Sequence, residues 1–441
     1  MNFRDRRHRL LLKHPQAVFV LPAAPQARMA HDITHRYRPD PNLYYLTGWE
    51  EPQSLAVLRL RAGAPSLTLF VRPRDELAEI WSGRRLGPEG ARLKFGAELA
   101  YPIEELSAEL PALLVGADTL YYPLGQQRSM DDLVLAAVGT SRRLARKERT
   151  VFPYSVVQPE ALIGAMRLIK DPDELTALRR VCNTTAAAHL ATMRACGPGM
   201  WERDLEAVLE YTFRRHGAVG PANPSIVGSG ANATVLHYDR NESRLRDGDL
   251  VLVDAGAEQD HYVGDISRTY PINGRFTSRQ RQLYDVVLQA QLAAITAVAP
   301  GTTLAAVHEV ASRHLIDGLI GLEVLRGDPA ELLGNGALAP FYPHQTSHWL
   351  GLDVHDTGPL DVQNADISLA PGMVLTIEPG LYFPAEREGL PAGLAGLGVR
   401  VEDDVLVTPT GCDVLTSAVP KTVEALERTV GQPASKATPQ S

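Results

Sequence analysis

The chain has 441 residues, with 44 basic against 52 acidic side chains and a formal charge of −8, so it lacks the basic excess of a nucleic-acid binder. Its hydrophobic (44%) and charged (22%) shares suit a globular protein of two or three domains and exclude wholesale disorder or a fibrous fold. Its three cysteines, Cys182, Cys196 and Cys412, never fall as C-x-x-C, which excludes a disulfide scaffold and a cysteine-built zinc site.

The N-terminus is basic, but only Leu10-Leu11-Leu12 follow before Lys13, too short for the apolar core of a secretion signal. No apolar run approaches the length of a membrane span. A soluble, cytoplasmic protein without membrane partners is expected. Ala17-Val18-Phe19-Val20-Leu21, Leu55-Ala56-Val57-Leu58-Arg59-Leu60 and Leu67-Thr68-Leu69-Phe70-Val71 have the composition of strands bounded by turn residues. Residues 133–145 have partial helical character, weakened by Gly139. This first part is expected to be a small α/β domain, poor in clustered metal-ligand residues.

A boundary is expected near residue 170, where Asp171-Pro172-Asp173-Glu174 combines an N-cap Asp, Pro at the first helical position and Glu at the third. The helix that follows runs toward Cys196, and a second covers 202–216. Thr277-Ser278-Arg279-Gln280 is another capping box, opening a helix to about Val298, with a further helix over 303–318. Strand-like segments rich in acidic and histidine residues lie between and after these helices. The second part is therefore α+β. The Pro/Ala/Ser/Gln-rich tail, 431–441, is expected to be disordered.

The chemistry gathers in the second part. The apolar run 250–253 ends at Asp254, and after a turn Gly264-Asp265-Ile266-Ser267 begins another strand. A hairpin centred on Gln259-Asp260 would set Asp254 directly opposite Asp265, with Cβ atoms about 4.5–5.5 Å apart. Two carboxylates so close repel unless a proton or cation intervenes, and a metal pair about 3.5–4 Å apart would suit them. On this pair alone, two solvated aspartates are an equal alternative. Three histidines, His344, His348 and His355, crowd the segment 344–355. Pro343 and Gly351 disfavour a helical zinc pair there. Met373-Val374-Leu375-Thr376-Ile377 leads to Glu378. In Gly398-Val399-Arg400-Val401-Glu402-Asp403-Asp404, alternation puts Arg400 and Glu402 on one face. A solvated edge fits Asp403 and Asp404, and fits Glu378 less well. Asp254, Asp265, His348, Glu378 and Glu402 together are four carboxylates and one imidazole. Such a set favours hard or borderline divalent cations, Mn2+ ahead of Zn2+, and points to hydrolysis.

These motifs resemble the Xaa-Pro aminopeptidases (aminopeptidase P) of the pita-bread metallopeptidase group, which also holds prolidase, methionine aminopeptidase and creatinase. The match rests on Val253-Asp254-Ala255-Gly256, Gly264-Asp265-Ile266-Ser267-Arg268-Thr269, Ser347-His348-Trp349-Leu350-Gly351-Leu352-Asp353-Val354-His355-Asp356, Thr376-Ile377-Glu378-Pro379-Gly380-Leu381-Tyr382 and Val399-Arg400-Val401-Glu402-Asp403-Asp404, and on Tyr37-Arg38 through Leu46-Thr47-Gly48. The resemblance implies an α/β N-terminal domain of the creatinase/prolidase kind over 1–170 and a pita-bread catalytic domain over 171–430. It implies a metal-dependent aminopeptidase that hydrolyses the N-terminal Xaa-Pro bond through a hydroxide bridging two divalent ions, most readily Mn2+, with Co2+, Fe2+ and Zn2+ as alternatives.

By the same resemblance Asp254 chelates one ion, Asp265 and Glu402 bridge, and His348 and Glu378 complete the pair. Glu378 also takes a proton from the bridging water. His237 steadies the scissile carbonyl, His355 contacts substrate near that bond, and His344 and Tyr382 line the pocket. Arg400 holds carboxylates in place. The implied partners are peptides with proline second, and copies of the chain itself in a dimer or tetramer. Two rivals remain open. One is a prolidase acting on dipeptides, which the absence of Lys and Arg from 360–369 disfavours. The other is a non-catalytic pita-bread binding protein, which the intact ligand set disfavours.

Overall fold

The computed structural model describes residues 1–358 and 367–432. Most of the loop at 360–369 and of the tail at 431–441 therefore lies outside the described residues. The chain divides into two compact units, Met1–Arg167 and Leu168–Ser441.

The first unit is built on a six-stranded mixed sheet. Its spatial order is Leu99–Pro102, Ala64–Val71, Leu55–Arg61, Ala17–Pro22, Thr119–Tyr121, Ser155–Val157. The three strands legible in the sequence occupy adjacent places: Ala17–Pro22 pairs antiparallel with Leu55–Arg61, which pairs antiparallel with Ala64–Val71. Every residue of Ala17–Pro22 is buried, as expected of a strand covered on both faces. Val18, Val20, Leu55, Val57 and Phe70 form one core with Leu106, Leu110 and Val134. The helix Arg128–Glu148 is longer than its sequence suggested. Its buried stripe of Val134, Ala137, Ser141 and Ala145 follows helical spacing, and Gly139 sits on the exposed face. The cost of that glycine, about 1 kcal/mol, is offset by packing of the stripe.

In the second unit both capping boxes form. Glu174 N donates to Asp171 Oδ1 (2.9 Å) and Asp171 N to Glu174 Oε2 (3.0 Å), opening the helix Pro172–Ala195. Thr277 N donates to Gln280 Oε1 (2.9 Å), opening Ser278–Ala297. The helices Glu202–Arg215 and Leu304–Gly321 lie where the sequence placed them. Around these helices run short antiparallel sheets, among them Ile226–Ser229, Leu250–Ala255 and Ile266–Pro271 in that order, and Val374–Ile377, Asp403–Thr408 and Gly411–Val414.

The hairpin that carries Asp254 and Asp265 has a different register from the one expected. Gln259 pairs with Tyr262 and Asp254 with Ser267. The turn is Asp260-His261, both with positive φ (54° and 67°), as two-residue hairpin loops of the primed type require. Asp and His tolerate that conformation better than most residues. The centre therefore lies one residue further along the chain, and Asp254 and Asp265 are diagonal neighbours rather than directly opposed. Because the partner shifts by two residues, both side chains still share a face. The second strand is also interrupted: Tyr262–Val263 pairs in one sheet and Ile266–Pro271 in another. Gly256 permits the break, since a Cβ there would lie 1.7 Å from the carbonyl oxygen of Gly264.

Candidate metal centre

Three segments converge beside this break. Along Ile266–Pro271, alternation turns Ser267 and Thr269 to one side and Arg268 to the other. Glu402 N donates to Ser267 O (3.0 Å), so the link between the strands Leu397–Arg400 and Asp403–Thr408 crosses here. The alternation expected through Arg400 and Glu402 is thus broken at Val401-Glu402, yet both side chains still reach Ser267. The His348 segment runs beside Val374–Ile377: Thr376 N donates to His348 O (2.9 Å) and Glu378 N to Thr346 O (2.8 Å).

The result is a compact donor set. One ligand atom each from Asp265, His348 and Glu402 lies within 4.8 Å of the others, the group among the described residues that could hold a metal ion. His348 Nε2 stands 3.7 Å from Asp265 Oδ2, 3.5 Å from Glu378 Oε1 and 4.0 Å from Glu402 Oε1. Its Nδ1 lies 3.1 Å from Trp349 O, an arrangement that orients the ring with Nε2 toward the carboxylates. Asp254 is tied in through Arg400, whose guanidinium reaches Asp254 Oδ2 (2.5 Å), Tyr382 OH (2.7 Å) and Ser267 Oγ (2.9 Å). Ser267 Oγ in turn donates to Glu402 Oε2 (2.8 Å). Tyr382 OH lies 2.8 Å from His344 Nε2, and His344 Nδ1 lies 3.6 Å from Glu378 Oε2. The His355 ring is exposed and 4.5 Å from that of His348. His237 is exposed in the segment after Ile226–Ser229, and among the described residues no hydrogen bond or ion pair joins it to the carboxylates.

The electrostatics favour a cation. Burial, then Asp254, Asp404 and Glu378, hold the Asp265 carboxyl well above its usual range. Burial, then Asp265, Glu378 and Asp254, do the same to Glu402. Burial lifts Glu378 to about 8, with Arg400 opposing and Asp254 adding. Burial lowers His348 to about 4, so it is a neutral imidazole able to ligate. Asp265 Oδ1 is buried without a hydrogen-bond partner. An orphaned carboxylate oxygen amid mutually repelling acids is what a divalent ion would satisfy, so the residues present fit the metal that the sequence implied.

Asp403 and Asp404 are not a solvated edge: both are fully buried. Asp403 Oδ1 accepts from Arg268 (2.7 Å) and Oδ2 from Lys421 (2.7 Å) and Gln291 (2.9 Å). Burial pushes Asp403 up, but Arg268 and Lys421 outweigh it and the net shift is downward. Asp404 Oδ2 accepts from Asp265 N (3.0 Å) and Cys182 Sγ (3.2 Å). Arg268 in the middle of a strand was the available signal, since a buried guanidinium demands an anion on its side of the strand. A buried pair, Lys170 Nζ to Asp356 Oδ2 (3.3 Å), was also missed. Here Gly351 gives room, because a Cβ would lie 2.1 Å from Asp356 Oδ2.

Two family models match the chain: the metallopeptidase family M24 over 176–409 and the aminopeptidase P N-terminal domain over 3–121. The chain is 41% identical to an Xaa-Pro aminopeptidase of Escherichia coli, covering 96% of each. The chain belongs to the aminopeptidase P family. The human Xaa-Pro aminopeptidase 3 is 34% identical over 95% of this chain and 81% of its own. Among solved structures, an aminopeptidase of Pseudomonas aeruginosa and a zinc-substituted aminopeptidase P of Escherichia coli with product each superpose with a TM-score of 0.93 at 40% identity, covering 97% of both chains. Membership of this family makes the chain a metallopeptidase with an N-terminal α/β domain and a pita-bread catalytic domain. No helix of the described residues is long and apolar enough to cross a membrane.

Proposed function

We propose that the chain is a metal-dependent aminopeptidase that releases the first residue of peptides whose second residue is proline. The observation that carries this is the 4.8 Å cluster of Asp265, His348 and Glu402, in a chain akin to Xaa-Pro aminopeptidases over 96% of its length. In this reading Asp254, Asp265, His348, Glu378 and Glu402 hold two divalent ions, Mn2+ being the best match to an oxygen-rich set. When bound, the ions polarise the scissile carbonyl and make hydroxide available near neutral pH.

The chain's own groups do the rest. Arg400 fixes Asp254 and Tyr382, and Ser267 orients Glu402. Glu378 accepts the proton of the attacking water and passes it toward the leaving proline nitrogen. That nitrogen carries no N–H in the substrate, so recognition cannot rest on a donor there, and polarisation of the carbonyl replaces it. His237 steadies the developing oxyanion, His355 contacts substrate beside the bond, and His344 with Tyr382 lines the pocket. The protein acts in the cytoplasm as a dimer or tetramer.

The test is a substrate panel on chelator-stripped protein with and without Mn2+: Xaa-Pro dipeptides, longer Xaa-Pro peptides and Xaa-Ala controls. Turnover of the longer Xaa-Pro peptides, lost on stripping and restored by Mn2+, is expected. Faster dipeptide cleavage would make the protein a prolidase. Failure to retain any divalent ion at saturating Mn2+ would remove the enzymatic reading.

A further inference from the structure

Glu202 opens the helix Glu202–Arg215 and is completely buried. A buried carboxylate is costly unless its lone pairs are filled, and here five neutral donors fill them. Oε1 accepts from Ser229 N (2.7 Å), Ser229 Oγ (2.7 Å) and Asn232 Nδ2 (2.9 Å). Oε2 accepts from Tyr238 OH (2.9 Å) and Ser243 N (2.8 Å). Glu202 N also donates to Ser243 O (2.9 Å).

These donors share one feature of placement. Ser229 ends the strand Ile226–Ser229, Asn232 sits in the turn Gly230–Thr234, and Ser243 closes the excursion 229–243. Tyr238 is the immediate neighbour of His237. One carboxylate thus pins both ends, the middle and the residue beside the histidine. Leu236 and Tyr238, on either side of His237, pack against Ile226, Ala233, Leu252 and Tyr382, so the histidine between them is turned outward. The strand Leu397–Arg400 backs the same turn closely, since a Cβ at Gly398 would lie 2.0 Å from Ala233 O. Among the described residues no side chain grips the His237 ring itself, so its position is set by its backbone.

We propose that Glu202 is a positioning residue: by gathering donors across 229–243, its carboxylate presents His237 to the substrate carbonyl. This rests on the role given to His237 above. Hydrogen bonds to a charged group are the strong ones, and a glutamine in place of Glu202 could not accept all five.

A double-mutant cycle on the metal-loaded enzyme tests it, with metal content and Tm measured for each variant. Glu202→Gln is expected to lower kcat about tenfold to a hundredfold, with metal content and KM little changed. In the His237→Ala background the same substitution should cost less than about twofold, because contacts that act through one residue are not additive. Full additivity, or an unchanged kcat in Glu202→Gln, overturns the proposal. If Glu202→Gln does not fold, Tyr238→Phe removes one of the five donors and answers instead. It should cost about threefold to tenfold and nothing further once His237 is alanine, and additivity there overturns the proposal equally. A fully active His237→Ala would sink the role of His237 and this inference with it. A defective His237→Ala with an additive cycle sinks only the assignment to Glu202.

Discussion

Glu402 and Asp403 are adjacent in the chain and both buried, yet they face opposite sides of the strand Ile266–Pro271. On one side Asp403 meets Arg268, Lys421 and Gln291, and its carboxyl stays ionised despite burial. On the other side Glu402 meets Asp265, Asp254 and Glu378 with Arg400 as the opposing cation, and it is pushed well above its usual range. The first cluster balances its own charges and needs nothing else. The second has more carboxylates than the cations the chain supplies, and that imbalance marks it as the place for divalent ions. Burial alone therefore does not identify a metal centre, whereas uncompensated burial does.

The sharpest way to break this contrast is at the acids themselves. Asp265→Asn or Glu402→Gln should abolish peptidase activity while the fold survives, because each removes repulsion as well as a ligand. Turnover, metal content and Tm measured together check it, and unchanged rates would contradict the assignment. The balanced side should behave in reverse. Arg268→Ala strands Asp403 with half its compensation and should cost about 3–5 kcal/mol of stability, read by chemical denaturation. An effect on rate with no loss of stability would erase the distinction between the clusters.

The metal-free protein gives a pH signature. The folded pKa of Glu378, about 8, lies above its ordinary 4.5. Its stabilising contribution is therefore complete below about 4.5 and is lost as pH rises toward about 8. His344 and His348, each lowered by burial to about 4 from 6.5, act in the opposite sense, losing stability as pH falls below 6.5. The window from about 6.5 to 8 isolates the acids. There the Tm of stripped protein should decline with pH, and saturating Mn2+ should flatten the slope. The smallest effect is expected at Arg400→Lys, which keeps the charge but loses the three-way fork to Asp254, Tyr382 and Ser267. A drop of about 10–100-fold in metal affinity or activity is expected, read by metal titration.

Much of this was legible in the sequence. Asp171 with Glu174 and Thr277 with Gln280 start their helices because capping is a contact across three residues. The strands around Val18, Val57 and Leu69 followed from local composition in the same way. Asp254 and Glu378 stood out because they end apolar runs, Asp265 by its place in the expected hairpin, His348 by the crowding of histidines and Glu402 by its alternation with Arg400. What failed involved distance along the chain. The partner of Asp403 is 135 residues away, so a run of two aspartates looked like a solvated edge. The hairpin register depended on where two residues adopt positive φ, which composition leaves open. Glu202 gave no local signal, since its donors lie 27 to 41 residues further on.

Sequence alone determined the helix starts, the principal strands, the inventory of candidate ligands and the family resemblance, because each depends on neighbours or on ordered motifs. Tertiary structure decided which acids are neutralised by the chain and which are not, the diagonal rather than opposed placement of Asp254 and Asp265, and the pinning of the His237 segment. The physical reason is that charge compensation in a buried site depends on three-dimensional distance, and the cations and donors involved are contributed by segments far apart in the chain.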